Sequence, residues 1–207
     1  LEVFKAGRKA QQAPGQRLKS PYTISIPMQV KMCVTRGFQR LRGDMSVLIG
    51  GIVGNSILAL IISSIFYNLK DDSSTFFSKG ALLFFAILMN AFSSALEILT
   101  LFAQRPIVEK HTKYAFYHPF AEAIASMICD MPNKVLTSIF FNLTLYFMTN
   151  LRRTPEHFFI FLLFGFSCVM AMSMFFRTIG STARSLSQAM APAAVIILAL
   201  IIYTGFT

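Results

Sequence analysis

Apolar residues run through the chain in long blocks separated by short polar stretches. Residues 45–69 are 25 consecutive positions without Asp, Glu, Lys or Arg, and residues 185–207 are 23 more. A run of roughly 18 or more uncharged, apolar residues is long enough to cross a bilayer as a helix. The pattern predicts five spans, at about 45–67, 80–103, 133–151, 157–176 and 185–207. The third is just adequate. Its uncharged run, 135–151, has 17 residues, or about 26 Å of helix at roughly 1.5 Å per residue. The amphipathic piece 119–132 is expected to extend it, with a kink at Pro132. In span one, Gly50 and Gly54 form a small-xxx-small pair that permits close helix approach.

Ahead of the spans the period changes. Val30, Val34, Phe38, Leu41 and Met45 recur at helical spacing and make one apolar stripe. Lys31 and Arg42 flank the stripe, and Arg36 and Arg40 lie across from it. Residues 26–44 therefore read as an amphipathic helix lying in the membrane interface, with long basic side chains reaching the headgroups. The alternative is an ordinary surface helix of a soluble domain. Residues 1–25 carry Lys5, Arg8, Lys9, Arg17 and Lys19 with Pro14, Gly15 and Pro21, and read as a cytoplasmic linker. The chain starts at Leu1 and stops at Thr207 inside an apolar run, so it reads as a segment of a longer protein.

Composition agrees with the pattern. Of 207 residues, 55% are hydrophobic and only 14% charged, against about 25% charged in soluble domains. The formal net charge of +10 does not imply nucleic acid, because the cations sit at the ends of apolar runs and form no extended basic face. Fifteen of the 19 Lys and Arg fall in 1–44, 104–134 and 177–184, and four in 70–79 and 152–156. The positive-inside rule puts the fifteen, and the N-terminus, in the cytoplasm. Cys33, Cys129 and Cys168 are too scattered for a disulfide framework or a zinc site and read as packing residues. No internal repeat is visible.

Candidate chemistry is sparse. Glu97 is a carboxylate inside span two, where a charge costs at least about 2.5 kcal/mol near the bilayer centre. Asn90, Ser93, Glu97, Thr100 and Gln104 step by 3 and 4 into one polar stripe. Such a stripe lines a pathway or forms a hydrogen-bonded seam between helices. A cation from the interfacial helix, Arg36 or Arg40, is the expected partner of Glu97. Residues 104–122 read as a polar loop that mixes both charge signs with Tyr114, Phe116 and Tyr117. Those aromatics suit either a docking surface for a cytoplasmic domain or anchoring at the interface. His111, His118 and His157 form no metal motif, and no Ser–His–Asp arrangement can be placed on one side. The triplet Asn142-Leu143-Thr144 lies mid-span, out of reach of glycosylation. No GxxxxGK[ST] phosphate loop occurs, so the chain itself holds no ATP in the usual way.

Several strings combine into a further pattern: Pro-Met-Gln-Val at 27–30, Arg-Gly-Phe-Gln-Arg at 36–40 before Gly43-Asp44, and Glu97 eight residues before Arg105-Pro106. Val-Glu-Lys-His at 108–111, Tyr-Ala-Phe-Tyr-His-Pro at 114–119 with Ala121-Glu122, Pro132-Asn133-Lys134 and Tyr-Thr-Gly-Phe at 203–206 complete it. Over about residues 20–207 the chain resembles the first transmembrane domain of a fungal pleiotropic-drug-resistance exporter, of the G type of ABC transporters. The resemblance implies an all-α polytopic membrane protein, an interfacial connecting helix followed by five of the family's six spans. It implies a coupling element from Arg105-Pro106 through Glu122 that docks on a nucleotide-binding domain, with Arg105, Glu109, Lys110, Tyr117 and Glu122 as candidates. Spans two and five would line a cavity for hydrophobic compounds shared with a second transmembrane half, with Asn90, Phe92, Ser93 and Glu97 as pathway candidates. ATP and Mg would be held by nucleotide-binding domains elsewhere on the polypeptide, and the site of action would be the plasma membrane. Two rivals stand beside this reading. One is an ion-coupled carrier or channel using Glu97, and the other is a membrane enzyme acting on lipids, for which no catalytic cluster is evident.

Overall fold

The computed structural model describes residues 2–14, 20–70, 72–152 and 154–203. Gly15, Arg17 and Lys19 of the linker, Asp71 of the first polar loop, Arg153 and the Thr204-Gly205-Phe206 end of the last motif lie outside the described residues. The helices are α1 Glu2–Ala10, α2 Ile26–Gly43, α3 Ser46–Ile65, α4 Phe76–Lys113, α5 Pro119–Met148, α6 Pro155–Thr182 and α7 Leu186–Tyr203, with a 3-10 turn at Ser73–Thr75. The chain divides into two compact units, one of residues 1–45 and 104–131, the other of 46–103 and 132–207.

Helix boundaries follow local chemistry. Pro stands in the first turn of α2 and α6, where its missing N–H is no loss. The Asp72 carboxylate accepts the Ser73 N–H at 2.9 Å and starts the 3-10 turn. α4 ends in a left-handed stop built on an alanine: Ala115 has φ 56°. Its N–H donates to the Thr112 carbonyl at 2.9 Å, and the Phe116 N–H donates to that of His111 at 3.1 Å. The rings of His111 and Phe116 meet at 5.7 Å, the side-chain contact that accompanies this kind of helix end.

Two expectations about loops are corrected. Part of the presumed linker, Glu2–Ala10, is helical. The presumed loop 104–122 is helix at both ends, because α4 continues to Lys113 and α5 begins at Pro119. No Gly or Pro interrupts 107–113, so nothing breaks the helix there: polarity decides who faces water, not whether the backbone coils. Only residues 114–118 turn. Pro132 likewise lies inside α5 without ending it.

In the second unit, Ala59 and Ile62 of α3, Leu82 and Ala86 of α4, and Phe141 and Leu145 of α5 form one buried cluster. Ile98 of α4, Phe176 of α6, and Ala189 and Ala193 of α7 form another. Small alanines at these contacts let helix backbones approach closely. The ends of α3 and α5 are tied together. The N–H groups of Asn68 and Leu69 donate to the carbonyls of Met148 and Thr149 at 3.3 and 3.1 Å, and Asn150 Nδ2 donates to Asn68 Oδ1 at 3.0 Å. Both asparagines hold positive φ, 50° and 56°, which asparagine tolerates better than most residues. Among the described residues, Gly50 and Gly54 meet no neighbouring helix: an added Cβ at either would find nothing within 4 Å.

Among the described residues, four helices are long and apolar enough to cross a membrane, in the segments Leu48–Ile65, Ser73–Lys113, Pro155–Thr182 and Leu186–Tyr203, with mean hydropathy of 2.0 to 2.3. α5, the third of the five expected spans, is not among them. Asn133, Lys134, Ser138 and Asn142 dilute its hydropathy, and Ser138 and Asn142 are buried against protein.

Candidate functional site

Glu97 sits on α4 with its side chain 11% exposed, and two cations enclose it. Lys134 Nζ of α5 lies 2.5 Å from Oε1. Arg177 of α6 reaches Oε2 with Nη2 at 3.0 Å and donates its Nε–H to the same oxygen at 3.0 Å. Ser173 Oγ, one turn before Arg177, donates to Oε1 at 3.1 Å and also meets Lys134 Nζ. One carboxylate thus joins three helices. The expectation of Arg36 or Arg40 as its partner is corrected. Arg36 is engaged elsewhere, and Glu97 is met by cations that end neighbouring spans: Lys134 precedes the uncharged run 135–151, and Arg177 follows the uncharged run 157–176. Removing a carboxylate from such a cluster leaves two buried cations uncompensated.

The rest of the expected stripe on α4 disperses. The buried face of that helix is Leu82, Ala86, Asn90, Ala91, Ser94 and Ile98. Asn90 is 5% exposed, and its Nδ2 has no hydrogen-bond partner among the described residues. Ser94 donates to the carbonyls of Asn90 at 2.9 Å and Val169 at 3.3 Å. Ser93 and Glu97 are half-buried, Thr100 is exposed, and Phe92 is exposed on another side of the helix from Asn90. Asn142 of the triplet is fully buried, donates to the carbonyl and hydroxyl of Ser138, and faces Gly165 of α6.

In the first unit, α2 buries Gln29 and Cys33, not the Val30–Phe38 stripe centre; Phe38 and Met45 stay exposed. Gly37 leaves room for Cys129, whose Sγ an added Cβ would overlap, and that thiol points at the Val34 carbonyl. Arg36 is a hub. Its Nη2 lies 2.8 Å from Glu122 Oε2 and donates to Tyr117 OH at 3.2 Å. Its Nη1 is 3.3 Å from His111 Nδ1, which in turn meets Tyr117 OH at 2.9 Å. The guanidinium carbon stands 5.1 Å from the centre of the Tyr117 ring. Burial raises the pKa of the Tyr117 phenol, with the Glu122 charge adding to it and Arg36 opposing it. Burial, followed by Glu122, pushes the Cys33 thiol up to about 11, so it stays protonated and inert at neutral pH.

The coupling candidates therefore separate. Tyr117 and Glu122 are held by Arg36, Arg105 is half-buried, and Glu109 and Lys110 are exposed. A groove of about 580 Å³ opens beside them, lined by Pro106, Ile107, Lys110, His111, Tyr114 and Phe116. Sequence reasoning missed Lys134, Ser173, Arg177, Gln29 and the Arg36–His111 contact. A signal existed only for the two span-end cations, which fall at the depth of Glu97.

A chain with several bilayer-length apolar helices and an ion cluster that joins two of them to α5 is an all-α polytopic membrane protein. Residues 28–207 match the ABC-2 type transporter family, and the chain belongs to it. It is 64% identical over its whole length to ABC multidrug transporter C of Aspergillus fumigatus and to ABC multidrug transporter atrG of Aspergillus oryzae. It is 61% identical, again over its whole length, to the ABC-type transporter eriD of Hericium erinaceus. The chain spans 14% of the length of each of these relatives.

Proposed function

We propose that the chain is the membrane-spanning part of an ATP-driven exporter of hydrophobic compounds, acting at the plasma membrane with its N-terminus in the cytoplasm. It forms half of a substrate path and receives force from a nucleotide-binding domain elsewhere on the polypeptide, which holds ATP and Mg. A second transmembrane half completes the path. Family membership and relatives named as multidrug transporters support export. The observation that carries the choice over an ion-coupled carrier is the Glu97 cluster. A carboxylate that binds a transported proton or cation must be open to it, and Glu97 is occupied by Lys134 and Arg177. Its role is to lock α4, α5 and α6 together. Asn90, whose Nδ2 has no partner among the described residues, and Phe92 and Ser93 remain the candidates for contact with substrate.

α5 is proposed as the fifth crossing. The bonds joining the ends of α3 and α5 support this, because both helices finish at one level of that unit. α2 lies in the membrane interface, and residues 104–122 couple, with Arg105, Glu109 and Lys110 as the docking residues and Tyr117 and Glu122 holding their platform. The test is the double variant Glu109→Ala, Lys110→Ala in the full-length transporter. Drug efflux falls at least about fivefold while surface expression and ATP hydrolysis persist, since docking loops pass force through specific pairs. Unchanged efflux at normal expression rejects the coupling role.

A further inference from the structure

Gln29 is 2% exposed on α2, although a buried amide must find partners that an apolar side chain would not need. Its partners are both backbone groups of other segments. Nε2 donates to the Ile24 carbonyl at 2.7 Å, just before α2 begins. Oε1 accepts the His118 N–H at 2.9 Å, across 89 residues of chain.

His118 is where α5 starts. Its carbonyl accepts the Ala121 N–H at 2.9 Å, and its Nδ1 accepts the Phe120 N–H at 3.3 Å. Its ring packs on Tyr22, 5.8 Å between centres, so the segment entering α2 touches the same residue twice over. On the far side of the five-residue turn stands Ala115 in its left-handed conformation. The turn is thus fixed at its α4 end by local backbone bonds; at its α5 end Arg36 and Tyr22 hold side chains, and Gln29 of α2 holds the His118 backbone.

We propose that Gln29 is a positioning residue for coupling: by clasping Ile24 and His118 it holds the turn 114–118 in register with α2, so that a load on the turn moves both as one piece. This rests on reading 104–122 as the coupling element. The clasp differs in kind from the Arg36–Glu122 pair, which is partly exposed and therefore screened. Gln29 acts on the backbone itself, through a side chain that is buried while its two bonds are partly so.

The experiment uses the full-length transporter in lipid nanodiscs and compares wild type with Gln29→Met, Gln29→Glu and the Glu109→Ala, Lys110→Ala variant. Efflux, ATP hydrolysis and hydrogen exchange of the 114–120 backbone are measured on each. Gln29→Met keeps size and burial but loses both bonds. It lowers efflux per ATP hydrolysed by at least about fivefold, since each lost hydrogen bond alone is worth about that factor, and speeds exchange at His118. Gln29→Glu keeps an acceptor for the His118 N–H but has no donor for the Ile24 carbonyl, so it stays uncoupled while His118 exchange remains slower than in Gln29→Met. Normal coupling in Gln29→Met, while the Glu109–Lys110 variant uncouples, overturns this proposal and spares the coupling reading. Normal coupling in both rejects the two together. If Gln29→Met does not reach the membrane, wild-type exchange decides: a His118 amide as fast as a free turn amide overturns the clasp, and one as slow as a helix interior upholds it.

Discussion

Glu97 shows what one charged residue inside a span demands. The sequence marks it as costly, and the structure meets the cost with two cations and a hydroxyl from different helices. Glu97→Gln keeps the shape and removes the charge, leaving Lys134 and Arg177 unbalanced in a site that is mostly buried. Breaking such a pair destabilises by about 3–5 kcal/mol. The expected outcome is a uniform loss of efflux across unrelated hydrophobic compounds, normalised to surface expression. Asn90→Ala changes substrate preference instead, because a wall residue tunes fit. Wild-type efflux of every compound by Glu97→Gln would show that the cluster carries nothing. The charge on Glu97 was legible from the sequence. Its partners were not, because Lys134 and Arg177 lie 37 and 80 residues away along the chain and only the packing of α4, α5 and α6 brings them together.

Helix packing turns on small residues whose importance depends on their neighbours. An added Cβ at Gly165 would stand 2.8 and 2.9 Å from the Asn142 amide atoms, and Asn142 is fully buried and bonded to Ser138. Gly165→Ala should therefore destabilise by about 1–3 kcal/mol through overpacking. Gly54→Ala meets nothing within 4 Å and should be neutral or slightly stabilising, by at most about 1 kcal/mol, as alanine favours helix. Thermal unfolding of the purified transporter in detergent separates the two, and equal shifts would refute the packing of α5 on α6. At the end of α4, Ala115→Gly removes a left-handed strain of about 1–2 kcal/mol, partly offset by the entropy of glycine in the unfolded chain. The turn should gain about 0.5–1 kcal/mol, seen as slower hydrogen exchange at Phe116; faster exchange there would contradict the assigned backbone. The small-xxx-small spacing in α3 marks a face that no described residue covers, since spacing reports a face and not what lies against it.

For the molecule as a whole, topology is the claim with the widest reach. Ser73 and Thr112 stand at opposite ends of the α4 region. A cysteine at Ser73 should react with an impermeant thiol reagent from outside, and one at Thr112 only after the cytoplasmic face is opened. Labelling of both from one side would break the proposed arrangement of crossings. The asymmetry of fifteen cations against four carries this prediction, because it is read by the insertion machinery from local charge and needs no tertiary contact.

The sequence by itself determined what depends on neighbours along the chain. The all-helical class follows from local hydrophobicity, since in lipid a backbone must satisfy its own hydrogen bonds. The motif strings from Pro27 to Lys134 were enough to indicate the transporter family. Tertiary structure alone decided which side chains meet. It drew Glu97 to Lys134 and Arg177, buried Gln29 in place of the Val30–Phe38 stripe, and made Tyr117 and Glu122 part of a platform held by Arg36. The reason is physical. Burial and hydrophobic transfer act on each segment separately, whereas hydrogen bonds and ion pairs act over about 3 Å and need the exact juxtaposition that only packed helices supply.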